Sequence, residues 1–273
     1  MNDPHPAPYT GITGLPDVHA TVRLVDLATL AALVPAPRRL MVGVLVSAET
    51  LEGRPAASRR YPLRAEARRI LSCLSMSPRV FRVVHFAPDP GAPLDAQLAR
   101  LCAALPFCDA VQVNAPDVDP AALARFRADT PDVELIVPVP PEVLADVPAL
   151  RDRARRFEGL ATRLLLDASM GRGIAFDVRA TRAALDALEG LPFGLGVAGG
   201  LGPGSAGRLL ALKHAVGADR YARLSLDAET RVRVPCAVAP EGLAQQDHYS
   251  PELARRWLVA ASAVEASDVE EAS

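Results

Sequence analysis

The chain of 273 residues is 50% hydrophobic, 23% charged and 4% aromatic, with 30 Lys and Arg against 32 Asp and Glu for a formal charge of -2. That apolar share excludes an intrinsically disordered chain, which cannot bury enough surface against its ordering entropy. The near-neutral balance leaves no broad basic footprint for nucleic acid, and the lack of any run of about 18 apolar residues predicts no membrane span. The opening MNDPHPAPYT has neither a basic start nor an apolar core, so no secretory signal is expected, and residues 1–8 read as a tail. Tyr9–Thr13 is the first strand candidate, followed by a helix over Asp17–Leu33. Leu40–Ser47 and Leu63–Leu74 repeat the alternation, then Phe81–Ala87 with Leu94–Leu105, and Ala110–Asn114 with Pro120–Ala128. Glu134–Val139 precedes Pro141–Phe157, Arg163–Ala168 precedes Val178–Leu188, Gly194–Ala198 precedes Gly204–Val216, and Tyr221–Asp227 precedes Pro251–Val264. Residues 267–273 read as an acidic tail.

The helix assignments rest on apolar residues recurring at three and four, as in Leu94, Leu98, Leu101 and Leu105. Asp119-Pro120 and Ser250-Pro251 supply an N-cap with proline at the first helical position. The strands carry apolar residues at both parities (LMVGVLV, ELIVPV, RLLLDA), which suits a parallel sheet covered on both faces. Eight such units of about 34 residues fit a single-domain α/β fold, the (β/α)8 or TIM barrel over residues 9–266. An open doubly wound sheet would want a glycine-rich turn after its first strand, and Gly11-Ile12-Thr13-Gly14 is no such fingerprint. Cys73, Cys102, Cys108 and Cys236 show no paired spacing and no accompanying His cluster, which reads as reduced thiols in a cytoplasmic protein without a zinc site. Lys213, the single lysine, lies inside a helical pattern, which argues against Schiff-base chemistry.

A closed barrel puts chemistry at the carboxyl ends of its strands. Asp167 ends an apolar strand in LLLDASMGRGIAF and is a candidate general acid or base, or else a cap for the next loop. Arg172, between Gly171 and Gly173, is a candidate clamp for an anionic substrate. In LGVAGGLGPGSAGRLL, Gly199 and Gly200 follow the seventh strand, and Gly202 to Ser205 open a helix whose free N–H groups suit an anion.

At these residues the sequence resembles the phosphoribosylanthranilate isomerase family. YTGITGLPDV is similar to the family's K-I-C-G-I-T-x-x-x-D, CDAVQVNAP to its V-Q-L-H-G, and LLLDASMGRGIAFDV to its L-L-D … G-G-T-G-x-x-F-D-W. LGVAGGLGP is similar to L-A-G-G-L-x-P, and SLDAETRVR to S-S-G-V-E … G-x-K-D, so the ordered likeness covers most of residues 9–233. The family carries out an Amadori rearrangement with one acid and one base. The resemblance implies Asp167 as the acid and puts Thr10 where the family has its base, a cysteine. Threonine does not ionise near neutrality and cannot replace a thiolate. Further departures are Asn114 for the histidine, with Gln112 kept, Arg172 for a small hydroxyl residue, and Ser225-Leu226-Asp227 for the phosphate-binding Ser-Ser-Gly. Gly173, Gly199, Gly200 and Ser225 still match, while Asp227 would repel a phosphate in the usual place.

Candidates for the missing base are His85 at the end of strand three, His19 and Asp17 after strand one, Glu49 after strand two, and Asp227 and Glu229 after strand eight. Asp227 facing Asp167 would form a carboxylate pair suited to acid–base work. The set Asp167, Asp227, Glu229 and His85 also admits a metal reading, with Mg²⁺ or Mn²⁺ favoured by hard oxygen ligands. The arginine-rich stretch LEGRPAASRRYPLRAEARR after strand two is either an anion grip or a solvated helix start. Trp257 reads as packing of the last helix. The expected activity is acid–base isomerisation of a small anionic metabolite, without cofactor or resident metal, by a monomer or homodimer with no nucleic-acid or membrane partner. The alternatives are a lyase, cyclase or hydrolase using the same carboxylates, and a non-catalytic ligand-binding barrel.

Overall fold

The aliphatic runs of the sequence form strands, and those strands close on themselves. The computed structural model describes residues 6–16, 27–56, 58, 60–75, 77–170, 172–235 and 247–267. Its barrel strands are β1 (Tyr9–Thr13), β2 (Arg39–Ser47), β3 (Val80–Ala87), β4 (Ala110–Val113), β5 (Glu134–Val139), β6 (Arg163–Asp167), β7 (Gly194–Ala198) and β8 (Ser225–Ala228). They pair in chain order, all parallel, and β8 returns to β1 through Thr10 with Leu226 and Gly11 with Asp227. The helices outside them are α1 (Leu27–Ala32), α2 (Ala48–Leu51), α3 (Arg64–Leu74), α4 (Leu94–Ala104), α5 (Pro120–Asp129), α6 (Pro141–Leu144), α7 (Val147–Arg155), α8 (Val178–Leu188), α9 (Ala206–Val216), α10 (Ala218–Ala222) and α11 (Pro251–Ala266). Among the described residues no helix is long and apolar enough to cross a membrane.

Side chains of one parity fill the barrel. Tyr9, Met41, Phe81, Ile136 and Leu165 pack there as one cluster, while Ile12, Val42, Val84 and Leu166, of opposite parity, pack in the layer shared with the helices. At the amino end Arg163 stacks over Tyr9 and Phe81, 5.5 and 5.3 Å from the ring centres, and pairs with Glu134 at 2.9 Å. Packing closes the barrel interior at that end, and the inward polar side chains gather at the carboxyl end.

Several boundaries differ from the expectations. The stretch predicted as one helix over Pro141–Phe157 is broken at Asp146, whose side chain accepts from Ala149 N and starts α7 with Pro148 in its first turn. The helix predicted from Gly204 begins as a 3-10 turn over Pro203–Ser205 and becomes α-helical at Ala206. Tyr221 belongs to α10 and not to the eighth strand, because its ring packs beneath the Arg38 guanidinium, 5.6 Å away, in the helix layer. The helix predicted over Asp17–Leu33 is described only as α1, and residues 17–26 lie outside the described residues. So do residues 1–5 and 268–273 of the two predicted tails. An antiparallel pair, β9 (Arg233–Pro235) and β10 (Asp247–Tyr249), precedes the last helix and was not anticipated.

The last helix is fastened from inside. Trp257 is fully buried, and its Nε1 donates to Gly11 O at 2.9 Å. Arg38, also buried, bonds both oxygens of Glu265 at 2.9 and 2.8 Å and the carbonyl oxygens of Tyr221 and Leu224. Arg38→Ala strips five acceptors of their donor, the Tyr9 carbonyl included, and is expected to cost about 3 kcal/mol of stability, measured by urea unfolding. A loss below about 0.5 kcal/mol would contradict this role.

Candidate active site

The inward parity carries polar residues at the carboxyl ends of the strands. Above Tyr9 in β1 come Gly11 and Thr13; above Phe81 and Val83 in β3 comes His85; above Ala110 in β4 comes Gln112. Asp167 follows Leu165 in β6, and Asp227 is the third residue of β8. Together they surround a small inner pocket lined by His85, Gln112, Asp167, Ser169, Gly199, Gly200, Asp227, Glu229 and Thr230. An outer chamber of about 800 Å³ adds Arg60, Tyr61, Asn114, Met170 and Arg172, with Gln112, Asp167 and Glu229 at the junction. A larger void of about 1420 Å³ at the amino end carries Glu189, Arg220 and Arg223 but no buried carboxylate or imidazole.

Asp167 both caps its loop and lines the pocket. Its Oδ1 accepts from Ser169 N at 2.9 Å, Ser169 Oγ at 3.3 Å and Met170 N at 2.9 Å. Among the described residues Oδ2 has no partner, and Asp167 is in no ion pair. Met170 is held at φ 45°, a left-handed conformation that costs a side-chain-bearing residue about 1–2 kcal/mol. The Asp167 carboxylate supplies a bond that holds it there.

Asp227 is buried, and its Oδ1 accepts from Thr13 Oγ1 at 2.9 Å. His85 Nε2 lies 3.3 Å from Thr13 Oγ1 and 3.9 Å from Asp227 Oδ2, too far for a direct bond to the carboxylate. Thr13 thus donates to Asp227 and accepts from His85, which puts the imidazole proton on Nε2. Burial pushes Asp227 up to about 8, against the pull of the Thr13 hydroxyl, with Glu229 and Asp167 adding to the rise. Burial holds His85 down at about 3. A buried ion pair without a direct hydrogen bond does not recover its desolvation cost, so at neutral pH the pair is a protonated carboxyl and a neutral imidazole. Gly43 makes room for them, since a Cβ there would collide with Thr13 Oγ1 and come within 2.8 Å of His85 Nε2. Gly43→Ala is expected to cost about 1–3 kcal/mol, read by thermal unfolding; an unchanged melting temperature would contradict this tight fit.

Glu229, just past β8, is raised by burial and pulled back by Arg60, whose Nη1 donates to it at 2.8 Å. Arg60 also bonds both oxygens of Asp247, which in turn takes Arg233 Nε at 2.6 Å. Of the arginine-rich stretch, Arg60 is therefore the member that reaches the mouth among the described residues, while Arg64, Arg68 and Arg69 stay exposed on α3.

The predicted phosphate cradle is taken up by the protein itself. Gly202 N donates to Ser205 Oγ at 3.0 Å, and Gly202 packs against the Arg231 side chain. Gly200, at φ 59°, backs onto Ala175 so closely that a Cβ would lie 2.8 Å from Ala175 N. An anion beside Gly199 and Gly200 would also share the inner pocket with Asp167 and Glu229. Two unit charges 4 Å apart repel by about 4 kcal/mol at an effective dielectric of about 20.

Four predicted site residues lie elsewhere. Thr10 alternates with the inward Tyr9 and Gly11, so its side chain falls on the parity of the helix layer and not in the pocket. Ser225 begins β8 at the amino end, where its Oγ meets Tyr9 N and Arg163 Nη1. Gly173 lines neither cavity; its carbonyl accepts from Arg231 Nη2 at 3.1 Å. Glu49 is exposed on α2, away from both cavities. His19, Asp17 and Gly171 lie outside the described residues. His85, Gln112, Asp167, Asp227, Gly199 and Gly200 do meet in the inner pocket, and Asn114 and Arg172 in the outer chamber. Sequence reasoning missed Thr13, because a strand covered on both faces does not show which of its residues point inward. Among the described residues no three His, Cys, Asp or Glu side chains converge to hold a metal ion, so the metal reading lacks a coordination geometry.

No protein-family model and no curated protein sequence matches this chain. Solved structures do match. A glycoside hydrolase GH53 catalytic domain from Ignisphaera aggregans is 12% identical, with TM-score 0.56, covering 93% of this chain and 97% of that one. A tryptophan synthase alpha subunit from Legionella pneumophila is 11% identical, with TM-score 0.55, covering 95% and 93%. Active domain 2 of a thermostable chitinase from Pyrococcus furiosus is 12% identical, with TM-score 0.51, covering 98% and 97%. The likeness is one of fold, the TIM barrel common to these enzymes.

Proposed function

We propose that this protein is an acid–base enzyme of the aldose–ketose isomerase type, acting on a small polar metabolite that carries an anionic group. The observation that carries the reading is that Asp167 and Asp227 line one pocket at the carboxyl end of the barrel, with Asp227 pushed up to about 8 by burial. Asp167 Oδ2 takes a proton from the carbon beside a carbonyl or imine, while Asp227 gives its proton to the carbonyl oxygen or imine nitrogen. The reverse transfers at the neighbouring atoms yield the isomer and restore both carboxyls, so no outside reductant or oxidant is needed. Neutral His85 acts through Thr13 to hold Asp227 in place.

The likeness to the phosphoribosylanthranilate isomerase family supports this class of reaction through the positions of Asp167 and Gln112, although the likeness implies an acid at Asp167 where the present reading has the base. It puts Thr10 in the place of the family's base, but that side chain has the parity of the helix layer. The base is therefore sought among the carboxylates. The test is deuterium wash-in: the protein is incubated in D₂O with a panel of aldoses, aldose phosphates, sugar acids and the family's N-linked aminoaldose phosphate. Exchange at the carbon beside the carbonyl, lost in Asp167→Asn, is the expected result. No exchange with any member of the panel by a folded protein would overturn the reading.

A further inference from the structure

We infer that the substrate is a polyhydroxylated acid bound with its hydroxyl-bearing end inward and its anionic end outward, against Arg172. This rests on the acid–base reading of the same site but assigns what that reading leaves open, the class and direction of the ligand. The inner pocket presents acceptors: Asp167 with a free Oδ2 among the described residues, Glu229, and Gln112. Gln112 is 4% exposed, and its Nε2 donates to Asn114 Oδ1 at 2.9 Å. Among the described residues its Oε1 is buried without a hydrogen-bond partner. A buried acceptor left unpaired is costly, and a ligand hydroxyl donating to it restores the bond.

The same carboxylates repel an anion, so the charged end belongs in the outer chamber. Two cations stand there. Arg60 is committed, with Glu229 and Asp247 on its Nε, Nη1 and Nη2. Arg172 spends Nε on Ser169 O at 2.9 Å, and among the described residues its two Nη groups have no protein partner. A guanidinium with two uncommitted parallel donors suits a carboxylate or phosphate. Gln112 lines both the inner pocket and the outer chamber, and Asn114 lines the outer chamber.

The experiment is calorimetric titration of the full chain in the Asp227→Asn background, where the acid is gone and the acceptors are kept, with D-glucuronate, D-glucose 6-phosphate, D-glucose and inorganic phosphate. Either anionic sugar is expected to bind at least about tenfold more tightly than glucose. Arg172→Gln should erase that difference and leave glucose unchanged, whereas Gln112→Leu should weaken all three sugars. Whichever anionic sugar binds more tightly identifies the acid group. Glucose binding as tightly as both anionic sugars would overturn the inference. So would inorganic phosphate binding as tightly as glucose 6-phosphate with no response to Arg172→Gln, or the absence of binding by all three sugars. Because these are binding measurements without turnover, their failure is separable from failure of the wash-in test. Arg172 is exposed, so its variant retains the fold, and circular dichroism checks Gln112→Leu.

Discussion

Asp167→Asn is expected to lower turnover by about 10²- to 10⁴-fold, the range for loss of a positioned general base. The substitution keeps an oxygen that still accepts from Ser169 N and Met170 N, so the loop and the left-handed Met170 stay in place. What it removes is the ability of Oδ2 to take a proton. Asp167→Ala removes both functions, and should add a fall in melting temperature that Asp167→Asn lacks. The comparison separates chemistry from loop capping, the two roles that Asp167 combines. Retention of more than about a tenth of wild-type turnover by Asp167→Asn would refute its role as base.

Asp227→Asn should have two effects of opposite sign. Turnover falls because the acid is gone, by a factor in the same range, and the alkaline limb of the pH profile near 8 disappears from what activity remains. Stability, in contrast, rises at alkaline pH. A carboxyl raised from 3.8 to about 8 binds more protons folded than unfolded across that window. Its contribution is full below the unfolded value and is lost as pH climbs through about 8, a change on the order of 5 kcal/mol as an upper figure. His85 runs the other way: lowered from 6.5 to about 3, it lets stability fall as pH drops through that interval. In the wild type these two slopes nearly cancel between about pH 4 and 6.5, leaving the Asp227 loss visible from about 6.5 to 8. Asp227→Asn keeps the His85 slope alone. Chemical unfolding across pH should therefore show a variant close to wild type near pH 4 and several kcal/mol more stable near pH 9. Equal stability of the two at pH 9 would rule out a protonated Asp227 in the native protein.

The parts of the molecule readable in the sequence are those where local signals are sharp. β5 is bounded by Pro131-Asp132 and Pro140, and α8 is opened by Asp177, whose side chain accepts from Ala180 N; both match their predicted limits. Asp167 was readable because a charged residue ending an aliphatic run has few other uses. Parity was not readable. A barrel strand is apolar on both faces, so its pattern does not say which residues point inward. Thr10 was named because the family resemblance puts it at the position of the base cysteine, and the strand's apolar pattern could not show that its side chain points outward. Ser225 was misplaced for a related reason: taking Tyr221 into the eighth strand shifted its start by four residues and moved the serine away from the amino end. The Arg60, Glu229, Asp247 and Arg233 network joins segments up to 187 positions apart, and no local spacing announces it. His85 was one of several candidates for the base; burial lowers it to about 3, which makes it a weak proton acceptor, and its Nε2 faces Thr13 Oγ1.

The assignment of the acid to Asp227 is tested most directly by carboxyl-carbon NMR titration of the intact protein, with the signal identified by its absence in Asp227→Asn. A midpoint near 8 is the result expected from burial beside Glu229 and Asp167. A midpoint at or below about 4, the ordinary aspartate value, would mean that this carboxyl is ionised at neutral pH and has no proton to give.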